Sequence, residues 1–135
     1  MKFLKGIAIT LSLVCVLMLV GCGESNFSPD SFEMEYRTSQ SKTEVKASSD
    51  EKLVNKVWKL CTGVSIDEAA EGEMGNEYIY VAFFNKNTED YAVFTLYSNG
   101  ACCLGEEFDV FYQLRDGEKI YKELLEIYNE CPKKQ

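Results

Sequence analysis

The chain has 135 residues, with 14 basic residues, 22 acidic residues, no histidine and a formal net charge of -8. An acidic chain without a basic stripe cannot displace counterions from phosphate, so we expect no nucleic-acid partner. The absence of histidine removes the Ser-His-Asp and Cys-His arrangements and the commonest zinc ligand. We therefore expect a protein that is not an enzyme and that uses no cofactor.

The first residues have the layout of an export signal. Lys2 and Lys5 give a positive start, residues 7–20 are apolar apart from two hydroxyl side chains, and small residues follow. This order is that of a secretory signal. The apolar run is shorter than the roughly 18 residues that a transmembrane helix needs. Residues 1–21 are therefore predicted to be a removable signal peptide.

The end of this signal is more specific. Its last residues, Leu19-Val20-Gly21-Cys22, match at every position the lipobox that precedes the cleavage site of bacterial lipoproteins. The sequence resembles that family over its first 23 residues. The resemblance implies cleavage between Gly21 and Cys22 and a diacylglyceryl group on the Cys22 thiol. Two acyl chains give stable anchoring, so we expect a lipid-anchored protein on the extracytoplasmic side of the cell membrane.

Residues 22–50 follow the anchor and are rich in serine. They have scattered apolar residues and no evident period, and such a segment buries too little surface to order itself. We predict a flexible tether there and a single small globular domain over residues 51–135. The alternative is that Phe32 and Met34 mark an edge strand or a short binding motif.

Residues 51–62 predict an amphipathic helix. Leu53, Val57 and Leu60 form one stripe, Ser49 or Asp50 can cap the start, and Gly63 can end it. The alternative is a strand centred on "VWKL", as in lipocalin-like proteins.

The residues beyond the acidic stretch 67–77 predict strands and a closing helix. The segments "EYIYVAFFN", "YAVFTLYS", "ACCL" and "FDVFYQL" are β-branched and aromatic. Asn99-Gly100 predicts a type I′ hairpin turn, and "EKIYKELLEIYNEC" has a helical period. The fold class is therefore α+β, an antiparallel sheet of about four strands flanked by an N-terminal and a C-terminal helix. The alternative is a small lipocalin-like all-β domain.

The four cysteines of the predicted domain lack the close pairing that zinc sites use. They are Cys61, Cys102, Cys103 and Cys131. Exported chains meet an oxidising environment, and a Cys61–Cys131 disulfide would tie the two helices together. The alternative is four buried thiols that act as small apolar groups.

Two acidic groups are candidates for chemistry. Residues 67–77 fail as an EF-hand loop, because Tyr78 stands where a bidentate glutamate is required. Two of the carboxylates of Glu106, Glu107 and Asp109 could act together as general acid and general base. We interpret both groups as surface charges, so no metal or catalytic site is predicted.

The aromatic residues give the best candidate site. Tyr78, Tyr80 and Phe84 share one face of a predicted strand. Either a second helix buries this face, or it is an interaction surface, which tyrosine favours. The function predicted is a membrane-anchored binding or interaction module for a protein or small-molecule ligand. An inhibitor or immunity-type lipoprotein is the alternative, and a small hydrolase comes third.

Overall fold

The computed structural model describes residues 27–38, 44–104 and 110–134. The predictions for Gly21, Cys22 and the carboxylates at 106, 107 and 109 fall outside these residues. Within them the elements are β1 (Ser31–Arg37), β2 (Val45–Ser48), α1 (Glu51–Thr62), β3 (Ile66–Glu71), β4 (Tyr78–Phe84), β5 (Tyr91–Tyr97), β6 (Ala101–Leu104), β7 (Tyr112–Leu114) and α2 (Gly117–Glu130).

The strands form one sheet in the order β2-β1-β4-β5-β6-β7-β3, and every pair is antiparallel. The predicted antiparallel sheet with two helices is confirmed, and the second helix follows all the described strands as predicted. The first helix is not N-terminal in the described chain, because β1 and β2 precede it. The predicted number of strands was wrong, because the described chain forms seven. The alternative strand at "VWKL" was also wrong, since these residues lie in α1.

The largest correction concerns the predicted tether. Strand β1 lies inside the sheet between β2 and β4, and Met34 pairs with Val81. Phe32 and Met34 are at most 1% exposed. Apolar side chains at every second position of β1 are the pattern of a strand with one buried face. The ordered domain therefore includes part of the segment 22–50 and does not begin at residue 51.

The outer edge of β2 is closed by the end of the chain. The Ala47 backbone N–H donates a hydrogen bond to the Pro132 carbonyl over 3.1 Å. The Lys46 ammonium donates to the carbonyls of Tyr128 and Cys131, over 3.0 and 3.1 Å. A lysine at the end of a helix satisfies free carbonyls and interacts favourably with the helix dipole. Strand β2 and helix α2 therefore hold each other in place.

Helix α1 begins where the sequence predicts. The Asp50 carboxylate accepts a hydrogen bond of 3.0 Å from the Leu53 backbone N–H, and Gly63 follows the last turn. Such a cap stabilises a helix by about 1 kcal/mol.

Both helices pack on the same face of the sheet. The helices contribute Val54, Val57, Cys61, Tyr121, Leu124, Ile127 and Tyr128 to one buried cluster, and the sheet contributes Phe32, Met34, Ile79, Val81, Phe83, Phe94, Leu96, Cys102 and Leu114. These sheet residues alternate along their strands with residues that point away from the helices. In the described part of the chain, the second face of the sheet therefore has no helix on it.

The turn at Asn99-Gly100 is present in a different form. Gly100 has a φ of 88°, while Asn99 is not among the residues of positive φ. The Gly100 N–H donates to the Tyr97 carbonyl over 2.9 Å. A type I′ turn needs positive φ at both central residues, so the predicted turn type was wrong. The hydrogen bond makes Ser98 and Asn99 the central residues, one position earlier than predicted.

Candidate binding face

Tyr78, Tyr80 and Phe84 lie on the helix-free face of the sheet, and all three are half-buried. The residues that alternate with them, among them Ile79 and Val81, belong to the buried cluster. The prediction that the three aromatic residues share one face is confirmed. The expectation that a second helix buries this face was wrong, because both helices pack on the opposite face.

A fourth aromatic residue joins this face from the next strand. Tyr91 pairs with Phe84 in the β4–β5 register and is 53% exposed. The sequence shows the alternation along β5 but not the pairing that brings Tyr91 beside Phe84. We call the four residues Tyr78, Tyr80, Phe84 and Tyr91 the aromatic face.

The middle of the aromatic face has small side chains. Ala82 and Val93 lie directly opposite each other on β4 and β5, and they are 7% and 8% exposed. Phe84 and Tyr91 flank them on one side and Tyr80 on the other. At these exposures both side chains are covered by their neighbours.

One end of the helix-free face is covered by other parts of the chain. Tyr97 is 3% exposed, and the Phe111 ring meets it edge-on with 5.8 Å between the ring centroids. The backbone at Gly75 lies so close that an added Cβ would be 3.1 Å from the Tyr97 Cβ. Burial raises the pKa of Tyr97 to about 12. The aromatic face therefore ends where the segments next to β3 and β7 cross the sheet.

The negative charge of the domain lies away from the helices. Helices α1 and α2 together carry five lysines and five glutamates, so they have no net charge. Over all described residues, 18 acidic residues outnumber 11 basic ones. The whole acidic excess of the described chain therefore lies on the strands and loops.

Carboxylates border the aromatic face on two sides. On β1, Glu33 pairs with Ala82 and Glu35 with Tyr80 in the register. Exposed Glu89 and Asp90 precede Tyr91. Two of these carboxylates already hold cations. Glu33 is 2.8 Å from the Lys134 ammonium, and Glu35 is 2.6 Å from the Arg37 guanidinium.

The proposed Cys61–Cys131 disulfide is absent, and the four described cysteines are buried thiols that form no disulfide. Burial raises the pKa of Cys61, and the nearby Cys102 thiol on β6 raises it further. The Cys131 thiol lies beside β2 and donates to the Ala47 carbonyl over 3.5 Å. Strands β2 and β6 are four positions apart, about 19 Å at the usual strand spacing. A disulfide needs Cα atoms within about 7 Å, so this pairing was wrong.

A carboxylate with two tyrosines lies at the other end of the core. Glu77 Oε1 accepts hydrogen bonds from the Tyr36 hydroxyl over 3.0 Å and from the Tyr121 hydroxyl over 3.4 Å. Burial and then Glu77 raise the pKa of Tyr36, and burial raises that of Tyr121 strongly. The cluster links β1, the start of β4 and α2, and we interpret it as structural.

Comparison with known proteins gives no relative. No family model, no curated protein and no solved structure matches the chain. In the described ranges no helix is long and apolar enough to cross a membrane. The same ranges contain no group of three or more side chains that could hold a metal ion.

Proposed function

We propose that the protein is an extracytoplasmic lipoprotein, anchored through Cys22, whose domain binds a basic protein through the aromatic face. The observation that carries this proposal is four aromatic side chains on a sheet face that no described helix covers. Apolar patches of this kind mark interaction sites. Tyrosine suits them, because its ring packs against a partner while its hydroxyl stays wet.

The shape and charge of the face favour a protein partner. Small-molecule sites are usually enclosed pockets, whereas the aromatic face extends over two neighbouring strands. The bordering carboxylates and the net negative charge of the chain would attract a basic surface and increase its association rate.

With an anchor at Cys22, the early start of the sheet would keep this binding close to the membrane. Strand β1 begins at Ser31, so residues 23–30 separate it from the proposed anchor. Eight residues span at most about 28 Å when fully extended. The partner would therefore be met near the membrane surface.

An inhibitor or immunity-type lipoprotein is a narrower form of the same proposal. Its partner would be a basic extracellular enzyme or toxin, and the acidic border of the face supports such a target. The identity of the bound protein separates the two forms.

The anchor is tested by labelling cells with a clickable fatty acid. The full-length chain and Cys15→Ala should incorporate the label, because Cys15 leaves with the signal peptide, whereas Cys22→Ala should not. Equal labelling of Cys22→Ala would refute acylation at Cys22.

The binding face is tested by photocrosslinking in the native cell. A photoreactive phenylalanine analogue replaces Tyr80 in the full-length chain, and a matched chain carries it at exposed Lys56 on α1. We expect an adduct with a basic protein from position 80 and none from position 56. Adducts from position 56 alone, or none from position 80, would contradict the proposal.

A further inference from the structure

We propose that helix α1 docks on anionic lipid headgroups of the membrane through three lysines on its outer face. This inference rests on the proposed lipid anchor and gives the anchored domain an orientation. Two features carry it: the positive charge of the outer face of α1, and a contact that brings the chain from the anchor to this helix.

The first feature is a row of lysines on α1. Lys52, Lys56 and Lys59 are exposed. At 3.6 residues per turn they lie within an arc of about 60° around the helix, opposite the buried side chains of α1. They form no ion pair with any residue that the structure describes. We call these three residues the lysine stripe.

The charge of α1 differs from that of α2, which packs on the same side of the sheet. Three lysines and one glutamate give α1 a net charge of +2, whereas two lysines and four glutamates give α2 a net charge of -2. A helix is about 10 Å across, and the Debye length at physiological salt is about 8 Å. The carboxylates beyond the sheet are therefore largely screened at the outer face of α1, and an anionic surface attracts this helix.

The second feature is the place where the chain joins the domain. The Phe27 ring packs against the Trp58 ring of α1, with 5.4 Å between the ring centroids. The Asn85 side-chain amide donates to the Ser28 carbonyl over 2.6 Å, and Pro29 is buried. The chain is therefore fixed to the domain from Phe27 onward, and it arrives beside α1.

Little chain separates this contact from the proposed anchor. Four residues lie between Cys22 and Phe27, so the Cα atoms of these two residues are at most about 18 Å apart. Lys56 and Lys59 lie on either side of Trp58 in the sequence. A lipid on Cys22 would therefore hold the lysine stripe close to the headgroup layer, where each lysine strengthens docking about fivefold.

This orientation agrees with the proposed binding face. Helix α1 and the aromatic face lie on opposite sides of the sheet. Docking through α1 therefore turns the aromatic face away from the bilayer, where a basic protein can reach it.

The test measures how strongly a nitroxide on lipid headgroups quenches a fluorescent amino acid in the mature lipidated chain. The fluorescent residue replaces exposed Asn55, which lies beside the lysine stripe on α1. A matched chain carries it at Met74, which is 63% exposed and precedes the close contact of Gly75 with Tyr97 on the helix-free face.

Both chains are reconstituted in vesicles of phosphatidylcholine alone, or of equal parts phosphatidylcholine and phosphatidylglycerol. We expect strong quenching at position 55 in the anionic vesicles only, and we expect high salt to abolish it because salt screens the lysines. Position 74 should be weakly quenched in both kinds of vesicle.

Two double variants locate the docking on the chain. Lys56→Gln with Lys59→Gln removes two charges from the lysine stripe, and its control, Lys119→Gln with Lys122→Gln, makes the same change at exposed positions of α2. At fivefold per lysine, the first variant should lower the ratio of docked to undocked chain about 25-fold. Quenching at position 55 should then fall to its value in neutral vesicles, whereas the control should keep it.

Three results would overturn the inference. They are equal quenching at positions 55 and 74, equal quenching of position 55 in neutral and anionic vesicles, and an equal loss of quenching in both double variants. If any of these occurs while Cys22 still takes up the fatty-acid label, the docking of α1 is wrong and the proposed anchor stands. If Cys22→Ala is labelled like the full-length chain, the anchor is wrong and this inference fails with it.

Discussion

The side chain of Thr95 is fully buried on the helix-free face, and its hydroxyl oxygen has no hydrogen-bond partner among the residues that the structure describes. Thr95 lies between Tyr80 on β4 and Cys103 on β6 in the sheet register. A buried polar group without a partner costs about 1–3 kcal/mol. The Thr95 hydroxyl therefore does not contribute to stability, whereas its methyl group packs against the neighbouring side chains.

This gives a prediction for Thr95→Val, which keeps the shape and removes the hydroxyl. The free energy of unfolding should rise by up to about 1 kcal/mol, since an unsatisfied group is lost. The control is Thr62→Val, because the Thr62 hydroxyl donates to the Trp58 carbonyl over 2.7 Å and its loss should destabilise the chain. Urea unfolding followed by Trp58 fluorescence measures both variants. A Thr95→Val variant less stable than Thr62→Val would contradict the prediction.

At the level of elements, strand β1 changes the boundary of the domain. It hydrogen-bonds to both β2 and β4, and its buried side chains belong to the same core as both helices. Without it, β4 would become a long apolar edge strand, which is a predicted site of aggregation.

Truncation tests the role of β1. A chain of residues 51–135 lacks β1 and β2, and we expect it to show no cooperative unfolding transition in urea. A chain of residues 23–135 retains both strands and should unfold in one sigmoidal transition. If the two chains unfolded with similar midpoints and slopes, β1 would not be part of the cooperative domain.

The sequence predicts some elements well because their patterns are local. Helices α1 and α2 follow from a period of 3.6, and β4 and β5 from runs of β-branched and aromatic residues. Strand β2 is short and β3 is polar. Strand β1 has a local alternation, but its partner β4 and the β7 partner of β3 are distant in the chain, so these pairings are not visible locally. The placement of Tyr91 on the aromatic face likewise depends on a strand register that the sequence does not show.

At the level of the whole molecule, buried tyrosine and cysteine side chains make the stability of the fold depend on pH. Burial raises the pKa of Tyr97 to about 12 from an ordinary value of 10.0. Burial also raises the pKa values of Tyr36, Tyr121 and Cys102. In the unfolded chain these groups lose their protons at ordinary pKa values, while the folded chain keeps them. Their contribution to the free energy of unfolding is fully present below the unfolded pKa values. It is lost as the pH rises through the pKa values of the folded chain.

The predicted result is a loss of stability in alkali. The free energy of unfolding should begin to fall above about pH 9, where the unfolded cysteines ionise, and should fall further between pH 10 and 12 as unfolded tyrosines follow. Urea unfolding at a series of pH values measures this, with tyrosinate absorbance of the folded chain as a second readout. Constant stability up to pH 11, or ionisation of every tyrosine near pH 10 in the folded chain, would contradict it.

The central claim is that the aromatic face is a surface for a partner and not a second core. The most direct test is the free energy of unfolding of the double variant Tyr78→Ser, Tyr80→Ser. We predict a loss of about 1–2 kcal/mol, the cost of removing two good strand formers from a half-exposed face. Val81→Ala, one residue further along the same strand, serves as the buried reference. Truncation of buried aromatic side chains causes losses of this size. A loss of more than about 4 kcal/mol in the double variant would therefore mean that the two rings belong to a core, and it would contradict the claim.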